Sequence, residues 1–457
     1  MTPSPNPDAI LPLAEHIVAL ARRSGADIAE AVVREGTELS ATVRNGAVEL
    51  LTESSHRSAG VRVMRAGHVT ATSTSDLSDS GIDRFVRDAI DLLDLCQEDP
   101  FAGPADPDLI AVGPFDDLDL YDPTVLPIDA DHAIAAATNA ERAARDFDSR
   151  ITNTHAANFS RAAGATVMVL SGGFQSSRCG SSVALGVSPV ANDTNGKKRR
   201  GSWYESRRHQ ADLPSPEAIG REAARRTVGM LGARKVPSCE AAVIFPQETA
   251  RGMFATLVGC ALGTSIWKKS SYLVGREGTQ IAATCLDIFD NPFLPRGFGS
   301  RPHDGEGLAS RANTVVEGGI LRTVLCDSYC ARKLARTSTA SAARGGGAGV
   351  GPSTTNLVVQ GRNAVPEADI IANTERGLIV TQMMGYGFNS STGDFSRGAS
   401  GYWVEKGSIA FPVSEVTISL NLDTLMKRID LCGNQADVRS SVIAPMFRVS
   451  SMTISGS

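Results

Sequence analysis

No apolar run in this chain approaches the roughly 20 residues that a membrane-spanning helix needs. The opening residues, MTPSPNPDAI, carry no basic stretch followed by an apolar one, so no secretory signal is expected. Cysteine is sparse: eight are scattered over 457 residues, with no dense spacing to frame a disulfide scaffold. They read as reduced thiols in a cytoplasm. Aromatics are few, at 5%. An excess of positive charge is also absent, because 50 acidic residues outnumber 45 basic ones. That balance argues against bulk attraction to nucleic acid or anionic lipid. Common catalytic frames are missing too. There is no G-x-S-x-G elbow and no G-x-x-x-x-G-K-[ST] phosphate loop. His16, His56, His68, His132, His155, His209 and His303 lack the paired spacing that zinc sites use.

What the chain has in quantity is glycine, 44 residues concentrated in the second half. Its length exceeds one ordinary core, so two or three domains are expected. Leu13, Ile17, Leu20 and Ala21 recur at helical spacing and predict a helix over 10–23. Strands follow over 28–34, 39–44, 48–52, 59–65 and 68–74, several joined by glycine turns. A helix capped by Asp79 or Ser80 closes an α/β unit spanning 1–96. Six prolines between Pro100 and Pro127 make 97–128 a linker that wraps the surface. A second α/β unit spans 129–232, with a helix over 129–146, strands over 151–190 and a helix over 216–231. Ser215 as cap and Pro216 at the first position mark the start of that last helix. The segment 231–240 reads as a hinge into 233–457, where a strand over 241–245 and a helix over 247–262 lead into short strands and glycine turns. Val416, Ile418, Leu420 and Leu422 alternate with polar residues, the mark of a half-buried strand. The implied fold class is α+β: an α/β N-terminal half of two strand-and-helix units, then a β-rich, mostly antiparallel C-terminal domain.

Residues 384–407, MGYGFNSSTGDFSRGASGYWVEKG, are the most informative stretch. Six glycines, a Ser-Ser-Thr-Gly-Asp turn, Arg397 and five aromatics fall together there. Two readings stand side by side: a chain of β-turns at the rim of a sheet, or a surface that grips an extended peptide or partner subunit. This stretch resembles the C-terminal signature of the TldD/PmbA family, and of its PmbA (TldE) branch in particular. Segments 60–78, 202–224, 231–245, 325–345 and 409–422 resemble the same branch in the same order. By that resemblance, the TldD branch holds zinc with a helical His-Glu-x-x-x-His and a cysteine near the C-terminus. The matching helix here reads Gln247-Glu248-Thr249-Ala250-Arg251-Gly252. Gln247 and Gly252 stand in the imidazole positions, and only Glu248 survives. A carboxamide is a poor zinc ligand and glycine is none, so zinc is not expected in this chain. Cys432, near the place of the cysteine ligand, reads as a small buried residue.

The resemblance further implies a heterodimeric metalloprotease. A TldD-type partner would hold the zinc, and this chain, inactive alone, would complete a chamber for unfolded or flexible peptides, precursor peptides among them. A homodimer in the partner's absence is left open. An extended peptide could pair with a sheet edge. Asn389, Ser391, Gly393, Asp394 and Arg397 are the candidate contacts, with 345–351 as a second glycine-rich lining. Two other readings compete. One is a non-enzymatic protein that binds DNA gyrase; its sequence support is the basic run Lys197-Lys198-Arg199-Arg200, otherwise a solvated loop. The other is a self-sufficient hydrolase with Glu248 as base and a metal at His303 and Asp304. Those two residues, with Glu306, lie in RPHDGEG, which otherwise reads as a solvated turn.

Overall fold

A computed structural model describes residues 4–345 and 348–456. The N-terminal half rests on strands far longer than the usual five or six residues. β1 (Ile28–Arg44) pairs antiparallel with β2 (Ala47–Arg65), and β2 with β3 (His68–Thr74). On its other side β1 pairs with β4 (Ile151–Leu170), and β4 with β5 (Gln175–Asn192). β6 (Lys198–Arg200) and β7 (Trp203–Arg207) both lie along β5. The strand-and-helix units of 1–96 and 129–232 therefore share one antiparallel sheet. The short strands expected over 28–34, 39–44, 48–52 and 59–65 fuse into two. Backbone pairing runs on through polar residues such as Glu35 and Ser54, where hydrophobic alternation gives no signal.

Alternate residues of a strand face opposite sides of its sheet. Ala29, Ala31 and Val33 pack with α1 (Pro7–Arg23) and α2 (Asp79–Leu93). Further along the same face, Leu39, Ala41 and Val43 pack with α3 (Ala130–Phe147) and α4 (Pro216–Gly229). Two helix pairs thus cover the two ends of one face. The caps explain where these helices start. Asp129 and Ser215 accept from His132 and Ala218 backbone N–H groups. For α2 the cap is Ser78, whose hydroxyl accepts from Gly81, and not Asp79 or Ser80.

The C-terminal domain holds a six-stranded sheet with β8 (Cys239–Phe245) inside it. β8 pairs in parallel with Arg376–Met384 and antiparallel with Pro445–Ser455. The helix α5 (Gln247–Cys260) follows β8 directly and joins this sheet and a second, five-stranded one in a single core. Phe447 sits at its centre, 4.9 Å from Phe245 and 5.1 Å from Phe254 between ring centroids. Among the described residues no helix is long and apolar enough to cross a membrane.

Three segments that read as loose turn out to be fastened. In 231–240, Arg234 donates its N–H to Pro412 O and lays its guanidinium 3.9 Å from the Phe411 ring centre. In the basic run Lys197, Lys198 and Arg200 are exposed, but Arg199 is fastened: it pairs with Asp193 at 2.7 Å and donates to Ser414 Oγ and Ala233 O, while Lys197 pairs with Glu415 at the surface. RPHDGEG is not a solvated turn either, since His303, Asp304 and Glu306 are only 6%, 1% and 1% exposed. Its partners come from distant sequence, which local composition cannot register.

Those partners form a buried charge network between the two halves. Glu30 on β1 pairs with Arg62 on β2 and with Arg344 of the C-terminal domain, and Arg62 lies 3.9 Å from Glu306. Burial raises the pKa of Glu30, but the two guanidiniums outweigh it and hold its carboxyl below the ordinary value. Glu306 goes the other way. Burial, then the neighbouring Asp304 charge, push it up to about 7 against the pull of Arg62. A carboxyl raised on folding stabilises fully below its unfolded value and loses that contribution as pH rises through the folded one. Glu306 should therefore make the protein less stable as pH climbs from about 4.5 towards about 7. Glu306→Gln should flatten this decline, narrowing the difference in unfolding free energy between about pH 5 and about pH 8 by up to about 3 kcal/mol. Urea unfolding at the two pH values checks it; an unaltered difference would contradict the assignment.

Candidate functional site at the amino end of helix α5

The helix carrying Gln247, Glu248 and Gly252 begins at the end of β8, so its first turn opens beside the sheet. Gln247 donates its amide to Glu367 Oε1 at 2.8 Å, and burial raises that carboxyl despite the bond. Glu248 accepts from Arg226 at 2.5 Å and has Arg439 at 3.9 Å. Arg226 is also held by Glu222 at 2.6 Å, and Arg439 by Asp437 at 2.7 Å. Both guanidiniums stack on Trp203, at 3.9 and 3.8 Å from the ring centre. Glu248 thus lines a groove while tied into an arginine network. Gly252 lies on the exposed face of the helix, and a Cβ built on it would meet nothing within 4 Å.

The remaining position departs furthest. Cys432 is buried, and the Cys285 thiol, followed by burial, pushes its own thiol far above the usual value. It turns into the core. Its neighbour Gly433 faces the α5 side, where a Cβ would lie 3.3 Å from Glu367 Cγ. The donor set does not fit zinc: an amide already engaged, a bare glycine, a carboxylate bound by arginine and a thiol facing elsewhere. The pair His303 and Asp304 does not fit a metal either. Asp304 accepts from the backbone of Glu306, Leu308 and Ala342, and His303 contacts Ser176 Oγ and Asp304 O. Among the described residues no three His, Cys, Asp or Glu side chains converge as a metal-binding group.

A groove of about 490 Å³ runs beside Glu248, walled by Arg200, Arg226, Ile379, Met384 and Tyr402. The glycine-rich stretch forms part of this wall and then turns away. Asn389 accepts from Ser391 N, Thr392 donates to Asp394, and Asn421 donates to Asp394 and to Thr392 O. Gly393, at φ +81°, closes the turn with its O accepting from Leu422 N. Asn389, Ser391, Gly393 and Asp394 thus form one self-satisfied turn. Arg397 is not part of it; its Nε is buried without a partner among the described residues. Of the second glycine-rich lining, Gly346 and Gly347 lie outside the described residues. The flanking strands Ala342–Arg344 and Val350–Pro352 pair as a hairpin, and Ala348 packs on Gly60 of the N-terminal sheet. Sequence reading missed Arg226, Arg439 and Trp203, which come from three separate segments with no local signature.

Comparison with known proteins follows this geometry. Residues 29–93, 123–231 and 238–456 match, in order, domain 1, the central domain and the C-terminal domain of the PmbA/TldA metallopeptidases. Metalloprotease PmbA of Escherichia coli O157:H7 is 37% identical over 96% of this chain and 94% of its own length. The chain belongs to the PmbA/TldD metallopeptidase family. A metalloprotease PmbA homologue of Haemophilus influenzae is 33% identical over the whole of both chains. Among solved structures, a proposed modulator of DNA gyrase from Bacteroides thetaiotaomicron superposes with a TM-score of 0.91 at 25% identity, covering 98% of this chain and 99% of that one. TldE from Thermococcus kodakarensis shares the fold, with a TM-score of 0.87 at 17% identity over 97% of this chain and 100% of that one.

The groove wall gives a direct test. A Cβ at Gly401 would fall 1.8 Å from Ile379 O, whereas one at Gly398 meets Met384 at an ordinary 3.5 Å. Gly401→Ala should cost about 1–3 kcal/mol through forced separation of the two strands, and Gly398→Ala less than about 0.5 kcal/mol. Thermal unfolding of both variants checks the order; equal effects would contradict it.

Proposed function

We propose that this chain is the non-hydrolytic subunit of a two-chain zinc peptidase that cleaves unfolded or flexible peptides, precursor peptides among them. A TldD-type chain supplies the metal and the base, and this chain completes the peptide chamber. The observation that carries the reading is the state of α5: Gln247 bound to Glu367, Glu248 bound to Arg226, and Gly252 without a side chain. In the cytoplasm its eight free cysteines would remain reduced.

Two surfaces support the need for a partner chain. Residues 47–57 of β2 are exposed at every position, and β3 pairs only from Ala59 onward. That leaves a long unpaired sheet edge carrying exposed Val48, Leu50 and Leu51, the kind of edge that proteins cover or pair. Beside the groove, Met384, Tyr386 and Ile409 are exposed as well. Either surface could also take a second copy of this chain when the TldD-type chain is missing. The gyrase reading keeps little sequence support, because Arg199 is spent on a partly buried ion pair and Lys197 on a surface one, which leaves Lys198 and Arg200 exposed without an ion pair among the described residues.

Co-expression with a TldD-type chain should give a complex that co-elutes on sizing and degrades an unstructured peptide. Glu248→Ala in that complex should leave the cleavage rate within about twofold, since the base resides on the other chain. A fall of a hundredfold with assembly intact would place the base here and refute the proposal.

A further inference from the structure

Away from α5, four arginines converge on a second cleft, of about 530 Å³, between the N-terminal sheet and the C-terminal domain. Arg34 and Arg178 flank Thr166 in one cross-strand row of β1, β4 and β5. Like charges placed this way repel. Arg208 and Arg301 enter from outside the sheet. Among the described residues none of the four has an acidic oxygen within ion-pair distance, whereas Arg62, Arg199, Arg344 and Arg439 are all paired. Arg34 and Arg208 donate only to carbonyls: Arg344 O at 3.2 Å, Ser181 O at 3.2 Å and Phe298 O at 3.0 Å. Arg208 Nε and Arg301 Nε and Nη2 are shielded from solvent with no acceptor, a costly state for a charged donor.

The surrounding groups relieve this only in part: the Asp304 and Asp290 charges favour the Arg301 guanidinium, but burial outweighs them. Burial, then the charges of Arg301, Arg34 and Arg208, push the Arg178 guanidinium down to about 10. The carboxylates nearest Arg301, Asp304 and Asp290, already accept from backbone N–H groups. Of the two acids lining the cleft, Glu35 pairs with Arg57 at 3.5 Å and Glu38 is exposed. The floor beside the arginine row is a second row, Gly36–Gly164–Gly180, aligned across the same three strands. A Cβ at Gly36 would meet the His56 ring at 2.8 Å and one at Gly180 would meet Arg208 Nη1 at 3.5 Å, so the glycines let these two side chains lie close to the sheet at the cleft.

We propose that this cleft binds the carboxylate of a peptide, its anionic oxygens filling the donors that Arg34, Arg178, Arg208 and Arg301 leave open. Guanidinium forks match a carboxylate in shape as well as charge. A volume sized for a few residues favours a peptide over a bare inorganic ion. The carboxylate could be a chain terminus or an acidic side chain. This inference rests on the reading of the chain as a peptide-handling subunit, and it is tested on the chain alone, so its failure is separable from a failure to assemble or cleave.

The experiment is calorimetric titration of the full chain with four probes: N-acetyl-trialanine as the free acid, the same peptide as its amide, N-acetyl-Glu-Ala-Glu amide, and inorganic phosphate. At least one carboxylate peptide should bind, more weakly as salt rises, while the neutral amide does not; which acid binds assigns the source. Arg178→Gln and Arg34→Gln should each weaken binding about tenfold or more. Arg178→Gln should not lower the melting temperature, since it removes like-charge repulsion, whereas Arg34→Gln also loses its bond to Arg344 O and is read by affinity. Binding by no carboxylate peptide, equal binding of the amide, phosphate outcompeting both peptides, or unchanged affinity in both variants would overturn the proposal.

Discussion

The arrangement of both clefts depends on a buried ionic bond across the two halves of the molecule. Glu30 on the N-terminal sheet holds Arg62 of its own sheet and Arg344 of the C-terminal domain at once. Removing one partner would strand a charge in the interior, at a cost of about 3–5 kcal/mol. Because Arg344 O also accepts from Arg34, the same contact sets the position of the anion cleft. The proline-rich segment reinforces it: Ala111 donates to Gly307 O, and Arg332 donates to the carbonyls of Phe101 and Pro104. With the halves locked in register, α4 can place Arg226 against Glu248, which belongs to the other half.

The two clefts use charge in opposite ways. Beside α5, Arg226 and Arg439 each meet a carboxylate, so the charge of Glu248 is balanced there. In the cleft on the sheet face, four arginines gather with no ion-pair partner among the described residues, in a protein whose formal net charge is −5. Unbalanced charge of that kind is costly to maintain and points to a ligand, whereas a balanced network serves structure. The side chains of the first turn of α5 are tied to their neighbours, Gln247 to Glu367 and Glu248 to Arg226.

Much of this was legible in the chain itself, and the rest failed for physical reasons. Helices α1, α3 and α4 followed from spacing and caps, as with Ser215 and Pro216. The fusion of β1 and β2 into long strands was not legible, since their central residues are polar on both faces and stay ordered through pairing alone. Asn389 and Asp394 could be named as turn residues, but their mutual satisfaction depends on Asn421, a neighbour only in the folded state. His303, Asp304 and Glu306 looked like surface because polarity stands in for exposure in a sequence. Their burial depends on Arg62 and Ser176 arriving from strands more than a hundred residues away. Arg34, Arg178, Arg208 and Arg301 likewise carry no shared motif; sheet register brings the first two into one row, and the other two arrive from outside the sheet.

The most direct measurement is the metal content and turnover of the isolated chain after saturation with zinc and exhaustive dialysis. The account requires far less than one zinc per chain and no cleavage of an unstructured peptide. One tightly held zinc per chain, with turnover that a chelator abolishes, would contradict it.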